Sequence, residues 1–209
     1  MDKALELRKI KEAMEGDTKL PLIKKPEDII PSDGNPNAKI MFIGEAGGYY
    51  ESIQRKPFVG AAGQLLTRLL KGIGIEREEV YISNMVKTRP PENRDPLPEE
   101  LRAFEKYLDQ EIEIIEPKVI VTLGRFSMAK FLASARITSV HGKVHRINWN
   151  GKEIVLVPMY HPAAALRNTD IMFQIKQDFF KLPKILEEAT RKKDEATRKK
   201  DNGKQIQLI

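Results

Sequence analysis

No cysteine occurs among the 209 residues. That absence excludes disulfides and any zinc or iron–sulfur centre held by cysteine thiolates. Long apolar runs are missing as well. No stretch approaches the roughly 20 residues that a bilayer-spanning helix needs, and the opening MDKALELRKIKEAM is charged throughout, without a signal-peptide core. A cytoplasmic protein with no membrane association is the expectation. Histidine is scarce, with three in the chain. His141 and His145 have metal-like spacing, but Gly142 between them opposes a helix and no third ligand stands nearby, so no metal site is expected. Gly72-Ile73-Gly74 lacks the third glycine of a dinucleotide fingerprint, and Gly124 to Ser127 does not form the G-x-S-x-G nucleophile elbow.

What the chain does have is a formal net charge of +6. Residues 184–204 hold eight Lys/Arg against five Asp/Glu, so half of that surplus sits in the tail and the body is only mildly basic. Charge alone supports nucleic-acid binding weakly. The length suits one domain, expected over residues 1–186, with a charged tail over 187–209. In the tail EATRKKD occurs twice in succession, at 188–194 and 195–201. Each copy offers only alanine and threonine to a coiled-coil seam, so a solvated helical or disordered tail is expected.

Apolar runs at Lys39–Ile43, Val80–Ser83, Val119–Leu123 and Ile154–Met159 read as buried strands. Helical patterns alternate with them. Residues 2–15 offer Leu5, Ile10 and Met14 for packing, and 63–73 repeat leucines at 65, 66, 69 and 70. A helix opens at Pro98 with Glu99 and Glu100 in its first turn and carries Leu101, Phe104, Leu108, Ile112 and Ile115 on one face. Another covers 124–133, and 171–190 close the domain, with Pro183 expected to end or kink that helix. Residues 17–37 read as an irregular loop and 137–149 as extended segments. This alternation predicts an α/β fold, a three-layer αβα sandwich around a central four-stranded parallel sheet.

The candidate site lies where these strands end, since open α/β sheets bind ligands at that edge. Gly44-Glu45-Ala46-Gly47-Gly48 follows the first strand, with glycines that let a ligand approach the backbone. Pro57-Phe58-Val59-Gly60 precedes the leucine helix, Asn84 ends the second strand, and His161-Pro162 ends the last. The loop from Lys87 to Pro98 carries four prolines together with Lys87, Arg89 and Arg94, a positive rim suited to backbone phosphates.

Taken in order, these motifs resemble the uracil-DNA glycosylase superfamily over residues 35–185, most closely the thermostable iron–sulfur branch called family 4. GEAGG with Glu51, PFVGAAGQLL at 57–66, Asn84-Met85-Val86-Lys87, RPPENR at 89–94 and His161-Pro162 through Leu166-Arg167 carry the resemblance. It implies a monofunctional enzyme of base excision repair that flips a deaminated base from DNA and hydrolyses its N-glycosidic bond by water attack. Ala46 stands where the best-studied members carry a water-orienting aspartate, so Glu45 is the expected water-positioning residue, and His161 the donor to the departing uracil 2-oxygen. Asn84 would read the uracil edge, because one acceptor and two donors match its ring N–H and 4-oxygen. Phe58 would stack on the base and Glu51 would line the pocket near the 5-position, completing with Ala46 and Asn84 the substrate-binding set. Lys87, Arg89, Arg94, Leu166 and Arg167 form the expected DNA-contacting set, with Leu166 the wedge that fills the gap left by the flipped base.

The chain departs from the family at Ala163-Ala164-Ala165, where larger or polar residues often precede the wedge, and at two further points. The later two cluster cysteines fall at Thr88 and Phe104, so no cofactor is expected; packing of Phe104 on its stripe with Leu101 and Leu108 is expected to replace the cross-link, and Leu20, Leu22, Ile29 and Ile30 to hold the segment 18–31 on the body. Gly47 replaces the usual proline and would loosen the turn that holds Glu45. A catalytically weak or inactive uracil-DNA-binding homologue is therefore the alternative. Uracil-containing DNA is the implied partner, and a monomer the implied state.

Overall fold

The computed structural model describes residues 2–206, with side chains through residue 191. A helix α1 (Lys3–Glu15), capped by the Asp2 carboxylate on the Ala4 and Leu5 amides, precedes the sheet. The strands are β1 (Asp33–Gly34), β2 (Ile40–Gly44), β3 (Tyr81–Asn84), β4 (Val119–Leu123), β5 (His145–Trp149) and β6 (Lys152–Met159). They form one sheet in the order β1-β3-β2-β4-β6-β5. The inner four are parallel, as expected, and the two edges are added antiparallel strands. β1 is too short to show in the sequence. β5 comes from the segment read as extended, but Ile137–Val140 within that segment is a short helix.

Between the strands run α2 (Tyr49–Gln54), α3 (Ala61–Gly72), α4 (Pro98–Ile115), α5 (Arg125–Phe131), α6 (Ile137–Val140), α7 (Pro162–Ala165) and α8 (Thr169–Ile206). Alternation along β2 divides the core between the two faces of the sheet. Ile40 and Phe42 pack with Leu65, Leu66, Leu69 and Leu70 of α3 and with Ile175, Phe179 and Leu182 of α8. Met41 and Ile43 pack with Leu108, Ile112 and Ile115 of α4. Each such fully buried side chain contributes about 1.5–3 kcal/mol. The α3 leucines at i, i+1, i+4 and i+5 put one stripe on the sheet. Pro98 at the first helical position and the Glu100 carboxylate accepting from the Leu97 amide at 2.8 Å start α4 where the sequence indicates.

A third apolar cluster holds the N-terminal segment. Ile10, Met14, Leu20 and Ile29 surround Phe104, Tyr107 and Val86, while Leu5, expected to pack, is about half exposed. The helix α8 runs through Pro183 without ending and its backbone is helical across 186–187. The side chains of the EATRKKD copies beyond Arg191 lie outside the described residues. Among the described residues no helix is long and apolar enough to cross a membrane.

Candidate active site

Parallel pairing brings the site together. The register of β2 on β3 sets Gly44 opposite Asn84, and the pairing continues beyond the sheet as the Met85 and Val86 amides donate to the Gly44 and Glu45 carbonyls at 3.1 and 2.9 Å. The backbone of Glu45 is thus fixed at the strand ends by the residues that follow β3.

Asn84 is buried, and its Oδ1 has no hydrogen-bond partner among the described residues. An unpaired buried acceptor costs about 1–3 kcal/mol, so the fold retains it at a loss that a ligand donor would relieve. A Cβ on Gly44 would come within 2.4 Å of that oxygen and 2.5 Å of the Phe58 ring. Only glycine at 44 lets both groups approach the strand end.

Phe58 takes a left-handed backbone conformation, with φ of 53°. Three groups hold it there. The Glu51 carboxylate accepts from the Val59 and Gly60 amides at 2.9 and 2.8 Å, and from Gly48 at 3.2 Å. Arg77 donates to the carbonyls of Phe58 and Pro57 at 3.1 and 2.6 Å. Gly63 gives the Phe58 carbonyl room, since a Cβ there would lie 1.8 Å from it. Both Glu51 oxygens are thus engaged by the turns at Gly48 and around Phe58.

The Phe58 ring stacks on His161, with centroids 5.4 Å apart and planes 29° apart. His161 precedes α7, and its Nδ1 accepts from the Ala163 amide at 3.1 Å. In the neutral ring the proton is therefore on Nε2, the nitrogen left to donate. Burial pushes its pKa down to about 4, against a smaller opposing effect of Glu51. At neutral pH the site holds an uncharged imidazole donor. Gly124, with φ of 97° after β4, lies against it, and a Cβ there would come within 3.2 Å of the His161 Cβ.

Burial pushes the Glu45 carboxyl up to about 7; Asp95 adds to the shift and Arg125 offsets part of it. Asp95 and Arg125 form an ion pair. Neither was evident as a site residue in the sequence, although Arg125 stands just past the end of β4, where the strand-end rule points. Ala46 packs on the third apolar cluster. The turn it belongs to is pinned rather than loose. The Gly47 amide donates to the Thr88 carbonyl at 3.2 Å, and Ile30 Cδ1 fills the place a side chain would take, 2.1 Å from a Cβ built at 47. The expectation that Gly47 loosens the Glu45 turn does not hold in this packing.

The proposed DNA-contacting residues divide. Leu166 and Arg167 are exposed at the end of α7. Arg89 lies over the Tyr49 ring, 5.1 Å from its centroid, and donates to Asn93 at 2.7 Å. Arg94 forms a two-pronged pair with Glu100 at 2.6 and 2.9 Å, tying the proline-rich loop to α4. Lys87 is not on the rim. It is 1% exposed, and its Nζ donates to Glu111 at 2.6 Å, Ser32 at 2.9 Å and Ser83. A group enclosed by carboxylate and hydroxyls on all sides cannot reach a phosphate, so Lys87 leaves the DNA-contacting set.

No group of three or more His, Asp or Glu among the described residues is arranged to hold a metal. The cluster implied by the resemblance does not fit either: Thr88 is buried, and Phe104 is fully enclosed by apolar side chains.

Comparison with known proteins agrees with this geometry. Residues 31–183 match the family described as the Uracil DNA glycosylase superfamily. The chain is 46% identical over 183 residues to the type-4 uracil-DNA glycosylase of Sulfurisphaera tokodaii, covering 84% of this chain and 83% of that protein. It is 44% identical over 170 residues to the type-4 enzyme of Archaeoglobus fulgidus, with 78% and 85% covered. Similarity to the type-5 uracil-DNA glycosylase of Thermus thermophilus is lower, at 34% over 119 residues and about half of each chain.

Proposed function

As the chain belongs to the Uracil DNA glycosylase superfamily, we propose that it is a uracil-DNA glycosylase: it takes uracil out of the DNA stack and hydrolyses the bond between base and sugar. The observation that carries this reading is the buried Asn84 Oδ1, which has no partner among the described residues. Uracil offers a ring N–H to that oxygen and a 4-oxygen to the amide N–H₂, whereas cytosine presents an acceptor where uracil presents its donor.

The Phe58 ring provides a stacking surface for the flipped base. As the bond breaks, negative charge gathers on the base, and the neutral His161 donates from Nε2 to the 2-oxygen. One such donor is worth roughly 3–4 kcal/mol in the chemical step. Glu45, ionised above its raised pKa, orients the attacking water and faces the positive charge that develops on the sugar. Glu51 acts as a positioning residue through the backbone turns at 48 and 58–60. Leu166, Arg89 and Arg167 contact the DNA around the flipped nucleotide, and Arg94 supports them by fixing the loop. The domain is residues 1–186, with 187–209 an appended charged tail, and it acts as a monomer in the cytoplasm.

Incubation of purified protein with duplexes carrying uracil, thymine or hypoxanthine, followed by alkali, tests the reading. Strand breaks at uracil and none at thymine are expected. No break at uracil would overturn it.

A further inference from the structure

Next to the His161 turn lies a pair of ionisable side chains that the excision chemistry leaves unused. His141 follows α6, and its Nδ1 donates to the Asp178 carboxylate of α8 at 2.6 Å. Asp178 is buried, and its other oxygen accepts from Lys181 at 2.9 Å. Gly142 brings the loop onto that carboxylate. Its φ is 65°, and a Cβ there would lie 1.8 Å from Asp178 Oδ1, so a larger residue would push the pair apart. The Gly142 amide also donates to the Pro158 carbonyl at 2.8 Å, which clips the loop to β6. On α8 the next residue, Phe179, stacks on Phe42 of β2 with centroids 5.9 Å apart. The pair is anchored from both sides.

It reaches the site through one ring. His141 lies against Tyr160, with centroids 4.6 Å and planes 41° apart, and Tyr160 immediately precedes His161. β6 ends at Met159, so the sheet ladder does not direct these two residues. The bond from the Ala163 amide to His161 Nδ1 lies within the turn itself. It sets the tautomer, but it moves with the turn and cannot direct the ring toward the pocket. Contacts from outside the turn do that, among them Phe58 on the His161 ring and His141 on Tyr160.

We propose that His141, held by Asp178, is a positioning residue for the chemical step: its ring braces Tyr160 and so keeps His161 Nε2 directed at the departing base. A donor matters to the rate only where the negative charge develops, so a turn that drifts loses rate and not affinity. A misplacement of about 1 Å can cost up to a hundredfold. The inference rests on the uracil-DNA reading above and deepens it, by naming a pair outside the pocket on which the aim of the donor depends.

Single-turnover excision and uracil-duplex affinity of wild type, His141→Ala, Tyr160→Ala and Tyr160→Phe test it, together with the NMR cross-relaxation between the His161 and Phe58 rings in the free proteins. Both alanine variants are expected to lose about tenfold in the saturating rate with affinity kept within about twofold, and to lose the ring contact. Tyr160→Phe, which keeps the ring, is expected to match wild type in all three. Rates within about twofold of wild type in the alanine variants, an equal loss of affinity, an unchanged ring contact, or a loss in Tyr160→Phe as large as in Tyr160→Ala would each overturn it. Should His141→Ala not fold with Asp178 left short of a partner, Tyr160→Ala carries the same comparison with the ion pair intact. Absence of excision by wild type would sink the activity and not the brace, which the ring contact reads without substrate.

Discussion

At the scale of single residues the candidate site combines two opposite shifts with one cause. Burial lifts Glu45 to about 7 and lowers His161 to about 4, so above pH 7 the carboxylate is charged while the imidazole is neutral. The rate of the chemical step is expected to rise with pH, with an acid limb near 7, and to level off above it. Glu45→Gln should abolish that limb and lower the single-turnover rate at least about a hundredfold with DNA binding kept. It should also change stability in a pH-dependent way. A carboxyl whose pKa is raised from 4.5 to about 7 on folding stabilises the fold below 4.5, and that contribution is lost as pH rises through 7. Glu45→Gln should then gain on the order of 1 kcal/mol in urea melts at pH 8, because water reaches part of the group and screens it, and nothing at pH 4. Asn84→Asp tests the reader of the base. An ionised carboxylate offers two acceptors where uracil needs an acceptor and a donor, and uracil excision should fall at least about a hundredfold. Unchanged excision would make Asn84 a strand-end support.

At the scale of elements, the link between β3 and α4 is ionic and buried. Lys87 leaves β3, passes inward and meets Glu111 of α4, with Ser32 of the N-terminal segment accepting from Lys87 and donating to Glu111 at 2.7 Å. Lys87→Met should destabilise the protein by about 3–5 kcal/mol by stranding the carboxylate, and adding Glu111→Leu should recover most of that. A phosphate contact would behave otherwise, weakening DNA binding with a reduced salt slope and leaving the melt unchanged. The same pair shows what the sequence could convey. Gly44, Asn84 and His161 were legible because each ends an apolar run, and a parallel sheet delivers all such ends to one edge. The fate of Lys87 was not, since two of its three partners, Glu111 and Ser32, lie 24 and 55 residues away, and a lysine among prolines and arginines reads as surface. Arg77 was hidden for the same reason: its bonds to the Phe58 loop exist only once α3 has turned the chain back.

At the scale of the whole molecule, three apolar clusters hold the two helical layers and the N-terminal segment to the sheet. The third does without thiolates. Phe104 of α4 sits between Ile10 and Met14 of α1 and Leu20 and Ile29 of the segment before β1, so apolar packing joins these regions. Phe104→Ala is expected to cost about 3–5 kcal/mol by leaving a cavity there. A change under about 1 kcal/mol in denaturant melts would show that this packing does not hold the segment. The parallel order of the sheet and the helices that cover it were legible from periodicity, because long amphipathic stretches carry their own signal. The two antiparallel edge strands were not, because β1 is two residues long and β5 alternates intermediate and exposed positions.

Uracil excision through Glu45 and without a metal cluster is open to one decisive measurement. The direct measurement is single-turnover excision from a uracil-containing duplex by exhaustively chelated wild-type protein and by Glu45→Gln, with iron content determined on the same samples. The expected result is undiminished wild-type excision in colourless, iron-free protein and a loss of at least about a hundredfold in the variant. Excision abolished by chelation, stoichiometric iron, or a Glu45→Gln rate near that of wild type would contradict it.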